Sequence, residues 1–125
     1  MIFVIFEVVV HPEAMDKYLL LAAELKQELE KTPGFIRAQR FQSIGDECKL
    51  LSLSVWENEQ AVDQWRQNLA HRLSQRQGHY ELFASYTLSV AQKIRQYTQE
   101  ERSQAPQDSQ EFLHTSFNEK HHNQD

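Results

Sequence analysis

The first third of the chain switches between two hydrophobic patterns. Met1–Val10 is rich in β-branched and aromatic residues and is apolar on both faces except for Glu7, which is typical of a strand covered on both sides. From Pro12 to Lys31 the apolar side chains instead recur at helical spacing, and Thr32-Pro33-Gly34 ends the run. The pattern therefore predicts a strand followed by a helix.

The next apolar segments extend this alternation of strands and helices. Phe35–Ser43 and Lys49–Trp56 have the character of strands, with a turn at Gly45-Asp46 between them. Asn58 is a favourable N-cap for a second helix with one apolar side, and Tyr80–Gln96 carries apolar residues at alternate positions. The predicted order β-α-β-β-α-β is the ferredoxin-like arrangement, an α+β fold with an antiparallel sheet.

A sheet of four strands with two helices on one face leaves its other face uncovered. Both sets of side chains on the first strand are apolar, so a monomer would expose a large apolar patch. We therefore expect a homodimer in which the sheets of two subunits face each other.

Charge divides the chain after residue 97. The 125 residues carry 13 Lys and Arg against 18 Asp and Glu, a formal net charge of −5. Most of that excess lies in residues 98–125, a segment rich in Gln, Ser, Glu and Asn. Such a segment buries too little apolar surface to offset its ordering entropy. The sequence predicts a domain over 1–97 and a flexible acidic tail over 98–125, unless Phe112 and Leu113 dock on a neighbour.

Composition also disfavours several classes of protein. The negative net charge disfavours nonspecific binding to nucleic acid or to anionic membranes, and the longest apolar run is too short to span a bilayer. Cys48 is the single cysteine, which excludes an intrachain disulfide and is compatible with a reducing compartment. The tail residues His114, His121 and His122 lack Cys partners and ligand spacing, so no metal site is predicted. We expect a cytoplasmic globular protein.

Several short motifs occur together in residues 1–97. They are Lys49–Glu57 (KLLSLSVWE), Glu59–Val62, Trp65-Arg66, His71-Arg72, Thr32–Phe35, Arg40-Phe41, Leu82-Phe83 with Tyr86, and Val90-Ala91. As a set they resemble the antibiotic biosynthesis monooxygenase (ABM) domain family. The resemblance implies ferredoxin-like subunits that pair as a dimeric α/β barrel. It also implies an activity, because the best-studied members oxidise polycyclic phenols to quinones with dioxygen and without metal or flavin.

Two residues of the second helix match positions that this family uses. Trp65 matches the tryptophan of the phenol-oxidising and haem-degrading members, and His71 matches a position where phenol oxygenases place a hydrogen-bonding side chain. Trp65 also lies on the apolar stripe with Val62 and Leu69, so core packing is an alternative explanation. Six residues turn a continuous helix by about 240°. His71 therefore shares a cleft with Trp65 only if the helix breaks near Asn68, and otherwise lies on the polar side.

Glu7 and Gln75 depart from the haem-degrading members of the family. Those relatives have an asparagine where Glu7 stands and an axial histidine where Gln75 stands, so the resemblance argues against haem chemistry. A carboxylate in an apolar strand is unusual, and Glu7 is either a general base or half of a structural ion pair with Arg37 or Arg40.

The combined observations favour a cofactor-independent monooxygenase that oxidises a small electron-rich phenol to a quinone with dioxygen. Glu7 or His71 would accept the phenol proton, and Trp65 would stack on the ring and donate its indole N–H to an oxygen atom. Arg40 would stabilise the developing negative charge, and Asn68 would contact the substrate.

This mechanism requires Glu7, Trp65 and His71 to line one cleft between the sheet and the second helix. The face of the first strand that carries Glu7 must then be the one under the helices. The more apolar face of the third strand, with Leu51 and Leu53, would lie on that same side. The alternatives are a haem-binding or haem-degrading relative and a non-catalytic dimeric binding domain.

Overall fold

One antiparallel sheet with two helices forms the main part of the molecule. The structure is a computed structural model that describes residues 1–75 and 82–112, except for the side chains of 71–75. Its elements are β1 (Ile2–Val10), a short 3-10 helix (Pro12–Ala14), α1 (Met15–Lys31), β2 (Phe35–Ser43), β3 (Asp46–Trp56), α2 (Glu59–Gln75) and β4 (Phe83–Gln92). The strand order β2-β3-β1-β4 confirms the predicted ferredoxin-like α+β fold.

Several strand ends differ from the sequence-based prediction, among them the start of β4, which is Phe83 and not Tyr80. β3 begins at Asp46 and not at Lys49, because Asp46 already pairs with Ser43 across the tight turn and its side chain accepts the N–H of Cys48 at 2.9 Å. β4 ends at Gln92 and not at Gln96. Gln92 pairs with Ile2, the first residue of β1, so the strand beyond it would have no hydrogen-bonding partner.

The connection from α1 to β2 is also tied to the start of α2. The Thr32 hydroxyl donates to the Glu28 carbonyl at 2.9 Å, and the chain then reverses through Gly34, whose φ is 86°. A Cβ at Gly34 would lie 2.6 Å from the Cβ of Ala61, so only glycine fits without displacement. The predicted N-cap is confirmed, because the Asn58 side chain accepts the N–H of Ala61 at 2.9 Å.

The two faces of the sheet have different surroundings. Both helices pack on the side chains of the even-numbered residues of β1, and four of these are buried: Ile2, Val4, Val8 and Val10. We call this side the helix-covered face. The opposite side, the helix-free face, carries the partly exposed odd-numbered residues Phe3, Ile5, Glu7 and Val9. Helix packing therefore selects one of two nearly equally apolar sets.

The chain after β4 forms a second unit. The first compact unit is Met1–Gln92 and the second is Lys93–Asp125. In the described part of the second unit, residues 107–112 are helical and the Arg102 guanidinium lies 5.1 Å from the centre of the Tyr97 ring. The boundary after residue 97 and the flexibility of 98–125 stay predictions, and Leu113 lies outside the described residues. Residues 1–75 and 82–112 contain no helix with the length and apolar character needed to span a membrane.

Candidate active site

A cavity of about 160 Å³ lies between the helix-covered face and the two helices. Both helices and all four strands contribute to its wall. The lining residues are Val4, Phe6, Ala22, Leu25, Lys26, Leu29, Ala38, Gln39, Arg40, Ser52, Ser54, Trp65, Leu69 and Leu88. Most of these are apolar, and the polar ones come mainly from β2 and β3. The cavity is therefore suited to a small molecule that is largely apolar and has a few polar atoms.

Small side chains on the sheet and on α1 leave this space unfilled. Ser52 and Ser54 face the helices from β3, and Ala38 and Ala22 face the same space from β2 and α1. On either side of this space, larger residues pack into two core clusters, one around Val8 and Tyr18 and the other around Trp56. The cavity therefore lies between these two clusters, where small side chains stand in place of bulky ones.

The indole of Trp65 forms one wall of the cavity and has a free donor. Its ring stacks on that of Trp56, with centroids 6.2 Å apart and planes at 27°. The Trp56 Nε1–H donates to the Ser54 hydroxyl at 2.8 Å, so that indole is fully engaged. Among the described residues, Trp65 Nε1 has no hydrogen-bond partner, and no buried side-chain nitrogen or oxygen lacks one. Its N–H is therefore unpaired and not fully buried, on a residue that lines the cavity.

Lys26 on α1 and Arg40 on β2 are the two charged lining residues. Both are exposed, which places them where the cavity meets solvent. The Arg40 guanidinium lies 5.8 Å from the centre of the Tyr18 ring. Burial raises the pKa of the Tyr18 phenol, and the nearby Arg40 partly opposes that increase.

Glu7 does not lie in this cavity. It is on the helix-free face, opposite Leu51 on β3 and Thr87 on β4, in a shallow depression with Phe41 and Lys49. The prediction that Glu7 shares a cleft with Trp65 is wrong. Strand side chains alternate between faces, and the helices cover the even-numbered residues of β1.

The alternative interpretation of Glu7 as half of an ion pair is not supported either. β3 lies between β1 and β2, so Arg37 and Arg40 are not on a strand adjacent to Glu7. Among the described side chains, Arg66 with Asp63 is the single ion pair, at 3.6 Å on the surface of α2. Glu7 is therefore a partly exposed carboxylate on an apolar face.

The structure describes the side chain of Asn68 but not that of His71. The Asn68 side-chain amide donates to the Glu28 carboxylate at 2.9 Å and so joins α2 to α1, but Asn68 does not line the cavity. α2 is continuous from Glu59 to Gln75, without the break near Asn68 on which the placement of His71 beside Trp65 depended. The side chains of His71 and Gln75 lie outside the described residues.

Most lining residues were not singled out from the sequence, among them Ser52, Ser54 and Lys26. Ser52 and Ser54 were assigned to the side away from the helices, because Leu51 and Leu53 between them are more apolar. The structure places the serines toward the helices, and their alternation within an apolar strand was the available signal. Lys26 had no such signal, since it is one of many charges on an amphipathic helix.

Comparison with known proteins gives one family. The sequence profile of the family described as antibiotic biosynthesis monooxygenase matches residues 1–77. A Pyricularia oryzae protein named jasmonate monooxygenase ABM is 36% identical over 89 residues, which is 71% of this chain and 41% of that protein. The chain thus spans about two fifths of the length of that curated relative.

Solved structures with the same fold include two bacterial proteins. SnoaB from Streptomyces nogalater, described as a cofactor-independent oxygenase, superposes with a TM-score of 0.64 at 18% identity over 79% of this chain and 97% of its own. Rv0793 from Mycobacterium tuberculosis superposes with a TM-score of 0.66 at 17% identity over 78% of this chain and 98% of its own. At these identities the likeness is one of fold.

Proposed function

Because this chain belongs to the antibiotic biosynthesis monooxygenase family, we propose that it is a cofactor-independent monooxygenase that oxidises a small electron-rich phenol to a quinone with dioxygen. The observation that carries the proposal is the free Trp65 N–H at the wall of a mostly apolar cavity. The description of SnoaB as a cofactor-independent oxygenase supports the absence of a cofactor.

The size of the cavity favours a substrate with one enclosed ring. An apolar protein cavity of about 150 Å³ holds a benzene molecule, and this one has about 160 Å³. A larger molecule would extend through the side where Lys26 and Arg40 meet solvent. The enclosed ring would lie against the Trp65 indole and among aliphatic side chains, where water is scarce and electrostatic interactions are strong.

The overall reaction needs no electrons other than those of the substrate. Loss of the phenol proton gives a phenolate, which is electron-rich enough to reduce dioxygen. One oxygen atom is retained as the new carbonyl oxygen, the other leaves as water, and the ring is oxidised to the quinone. The Trp65 N–H would donate to the oxygen that accumulates negative charge. Of the two bases considered from the sequence, Glu7 is on the other face, and the unbroken α2 lacks the break that His71 would need to reach Trp65. The phenol proton would therefore be released to solvent at the exposed side of the cavity.

A second substrate class follows from the Pyricularia oryzae relative. Jasmonate contains one five-membered ring and a carboxylate, and its ring is small enough for the cavity. Hydroxylation of a small cyclic acid of this kind is therefore the second candidate reaction for this chain. It would insert one oxygen atom into a C–H bond and release the other as water, with two electrons supplied by a soluble reductant such as a reduced nicotinamide.

Oxygen uptake by chelator-treated protein tests the proposed function. Wild-type protein should consume dioxygen with a panel of hydroquinones, dihydroxynaphthalenes and anthrones, and form one quinone per dioxygen. Jasmonate is added to the panel together with reduced nicotinamide, because its hydroxylation requires a two-electron reductant. Trp65→Phe keeps most of the apolar volume but removes the donor, and it should slow oxidation by about 100-fold. His71→Ala should leave the rate nearly unchanged, because α2 has no break that would bring this residue beside Trp65. A loss as large as that of Trp65→Phe would instead identify His71 as the proton acceptor. No uptake with any panel member would contradict the proposal.

We also propose that the protein is a cytoplasmic homodimer. The helix-free face has partly exposed apolar side chains on two central strands, among them Ile5 and Leu53, and a second copy would cover them. The unpaired Cys48 suits a reducing compartment.

A further inference from the structure

The charges at the cavity are of one sign. Lys26 and Arg40 both line it, and its lining contains no Asp or Glu. In the described part of the chain, neither cation forms an ion pair with a carboxylate. The chain as a whole is acidic, with a formal net charge of −5. The solvent side of the cavity is therefore a locally positive region on an acidic protein.

Arg40 is also held in place. Its guanidinium lies 5.8 Å from the centre of the Tyr18 ring, and Tyr18 is itself buried against Phe83, with ring centroids 5.7 Å apart. An aromatic ring fixed by core packing restricts the guanidinium without neutralising it. A positioned guanidinium loses less conformational freedom when it binds a planar anion, which favours tight and selective binding.

Four polar groups of the cavity fall into two sets, apart from Gln39 and from the Ser54 hydroxyl that accepts the Trp56 N–H. Trp65 Nε1–H and the Ser52 hydroxyl lie among apolar side chains and suit neutral or developing oxygen atoms. Lys26 and Arg40 lie at the exposed side and suit a full negative charge that stays partly hydrated. The arrangement therefore matches a molecule that is apolar at one end and anionic at the other.

We propose that Lys26 and Arg40 form a carboxylate subsite, so that the substrate is a small amphipathic acid with its ring inside the cavity and its carboxylate at the exposed side. This inference rests on the proposed function and deepens it by naming the substrate class. In this proposal Arg40 binds the carboxylate of the substrate before the reaction. This role replaces the sequence-based expectation that Arg40 stabilises the negative charge that develops at the reacting atoms.

Anaerobic binding of a matched pair of probes tests the subsite without turnover. The probes are 3-(4-hydroxyphenyl)propanoate and its methyl ester, which differ in the charge of one end, and binding is followed by isothermal titration. Wild-type protein should bind the acid at least about tenfold more tightly than the ester, since a charge-assisted hydrogen bond has that strength. Arg40→Gln should weaken acid binding by about 10- to 100-fold and leave ester binding nearly unchanged. Lys26→Gln should have a smaller effect of the same kind.

Two further variants keep the test decisive. Arg66→Gln removes an exposed cation of α2 that does not line the cavity, and it should leave the acid-to-ester ratio unchanged. Arg40→Lys retains the charge without the planar geometry and should recover part of the ratio, even if Arg40→Gln folds poorly. Raising the salt concentration should also reduce the ratio.

The possible results separate this subsite from the oxygenase proposal. Equal binding of acid and ester, equal weakening of both by Arg40→Gln, or no binding of either at millimolar concentration would overturn the subsite. Acid-selective binding without oxygen uptake would support the subsite while contradicting the oxygenase. With active protein, the subsite predicts that Arg40→Gln raises KM for the acid and spares kcat, whereas stabilisation of the reacting atoms predicts a lower kcat for both probes.

Discussion

The two faces of the sheet are built from the same strands and differ in what their polar residues do. On the helix-covered face, Ser52 and Ser54 sit among buried aliphatic and aromatic side chains and leave a cavity. On the helix-free face, Ile5 and Leu53 form a more continuous apolar surface that is less buried, and Glu7 is its central charge. On β3, the face inside the subunit is thus the one that carries the two serines.

This difference teaches that apolar character alone does not identify the interior side of a sheet. A packed face must leave room for a ligand where it forms a cavity, and serine and alanine provide that room. A face that binds another sheet can be apolar throughout without being buried within its own chain. Function and assembly therefore explain the two patterns better than burial does.

The largest expected effect comes from a charge placed on the helix-free face. Leu53→Asp should convert the proposed dimer to a monomer and weaken association by at least about 100-fold, because an unpaired carboxylate would be buried at the interface. Light scattering at micromolar concentration measures the mass of each variant. Leu20→Asp places the same charge at an exposed position of α1 and should remain dimeric. A monomer mass for the wild-type protein would contradict the assembly itself.

A smaller effect is expected from one hydrogen bond on the helix-covered face. Ser54→Ala leaves the Trp56 indole N–H without its acceptor in a fully buried position, which should cost about 1–3 kcal/mol of unfolding free energy. Ser85→Ala on β4 lies on the helix-free face and is exposed, so its cost should stay within about 0.5 kcal/mol. Urea unfolding measures the loss of unfolding free energy in each variant. Equal losses would contradict the proposed difference between the two faces.

A pH-dependent effect is expected from Tyr18 of α1, which packs against the helix-covered face. Burial raises its pKa in the folded protein, whereas in the unfolded chain it titrates near 10.0. Its contribution to stability is therefore complete below that pH and is lost as the pH rises through the folded-state pKa. Tyr18→Phe should show a shallower fall in unfolding free energy between neutral and strongly alkaline pH. If the unfolding free energy falls equally steeply with pH in the wild-type protein and in Tyr18→Phe, folding does not raise the pKa of this phenol.

The smallest expected effect is that of Glu7→Gln. The side chain lies on the opposite face from the cavity, so neutralising it should leave oxygen uptake unchanged under conditions where Trp65→Phe is slow. Steady-state oxygen consumption of the two variants provides the comparison. A rate loss in Glu7→Gln comparable to that of Trp65→Phe would mean that the two faces cooperate in the reaction.

Most of the fold was predictable because local signals agreed with the tertiary structure. β2 begins and ends where its pattern predicts, and Asn58 caps α2 as its residue type favours. The side chains on β1 could not be assigned to faces, because both sets are apolar and only the position of the helices separates them. β4 adds a second difficulty. A register shift opposite Val9 and Val10 interrupts its alternation, and such a bulge has no clear signature in the sequence.

The candidate site was predictable only in part. Trp65 and Arg40 were found, and the structure brings both to one cavity. Lys26 and the two serines are ordinary residue types whose importance comes from the space they share, and that space is set by contacts between distant segments. Glu7 was chosen for its rarity in an apolar strand, but rarity does not specify which face it occupies.

The close approach of Gly34 to Ala61 limits how this protein can be redesigned. The contact leaves no room for a Cβ, and the Gly34 carbonyl also accepts the N–H of Glu57 at 2.8 Å. The turn that follows α1 is therefore packed tightly against the beginning of α2. Separating the two helices there to admit a bulkier molecule would break these contacts. Directed evolution toward new compounds should accumulate changes in the small sheet residues, such as Ala38 and Ser52, and leave the glycine untouched.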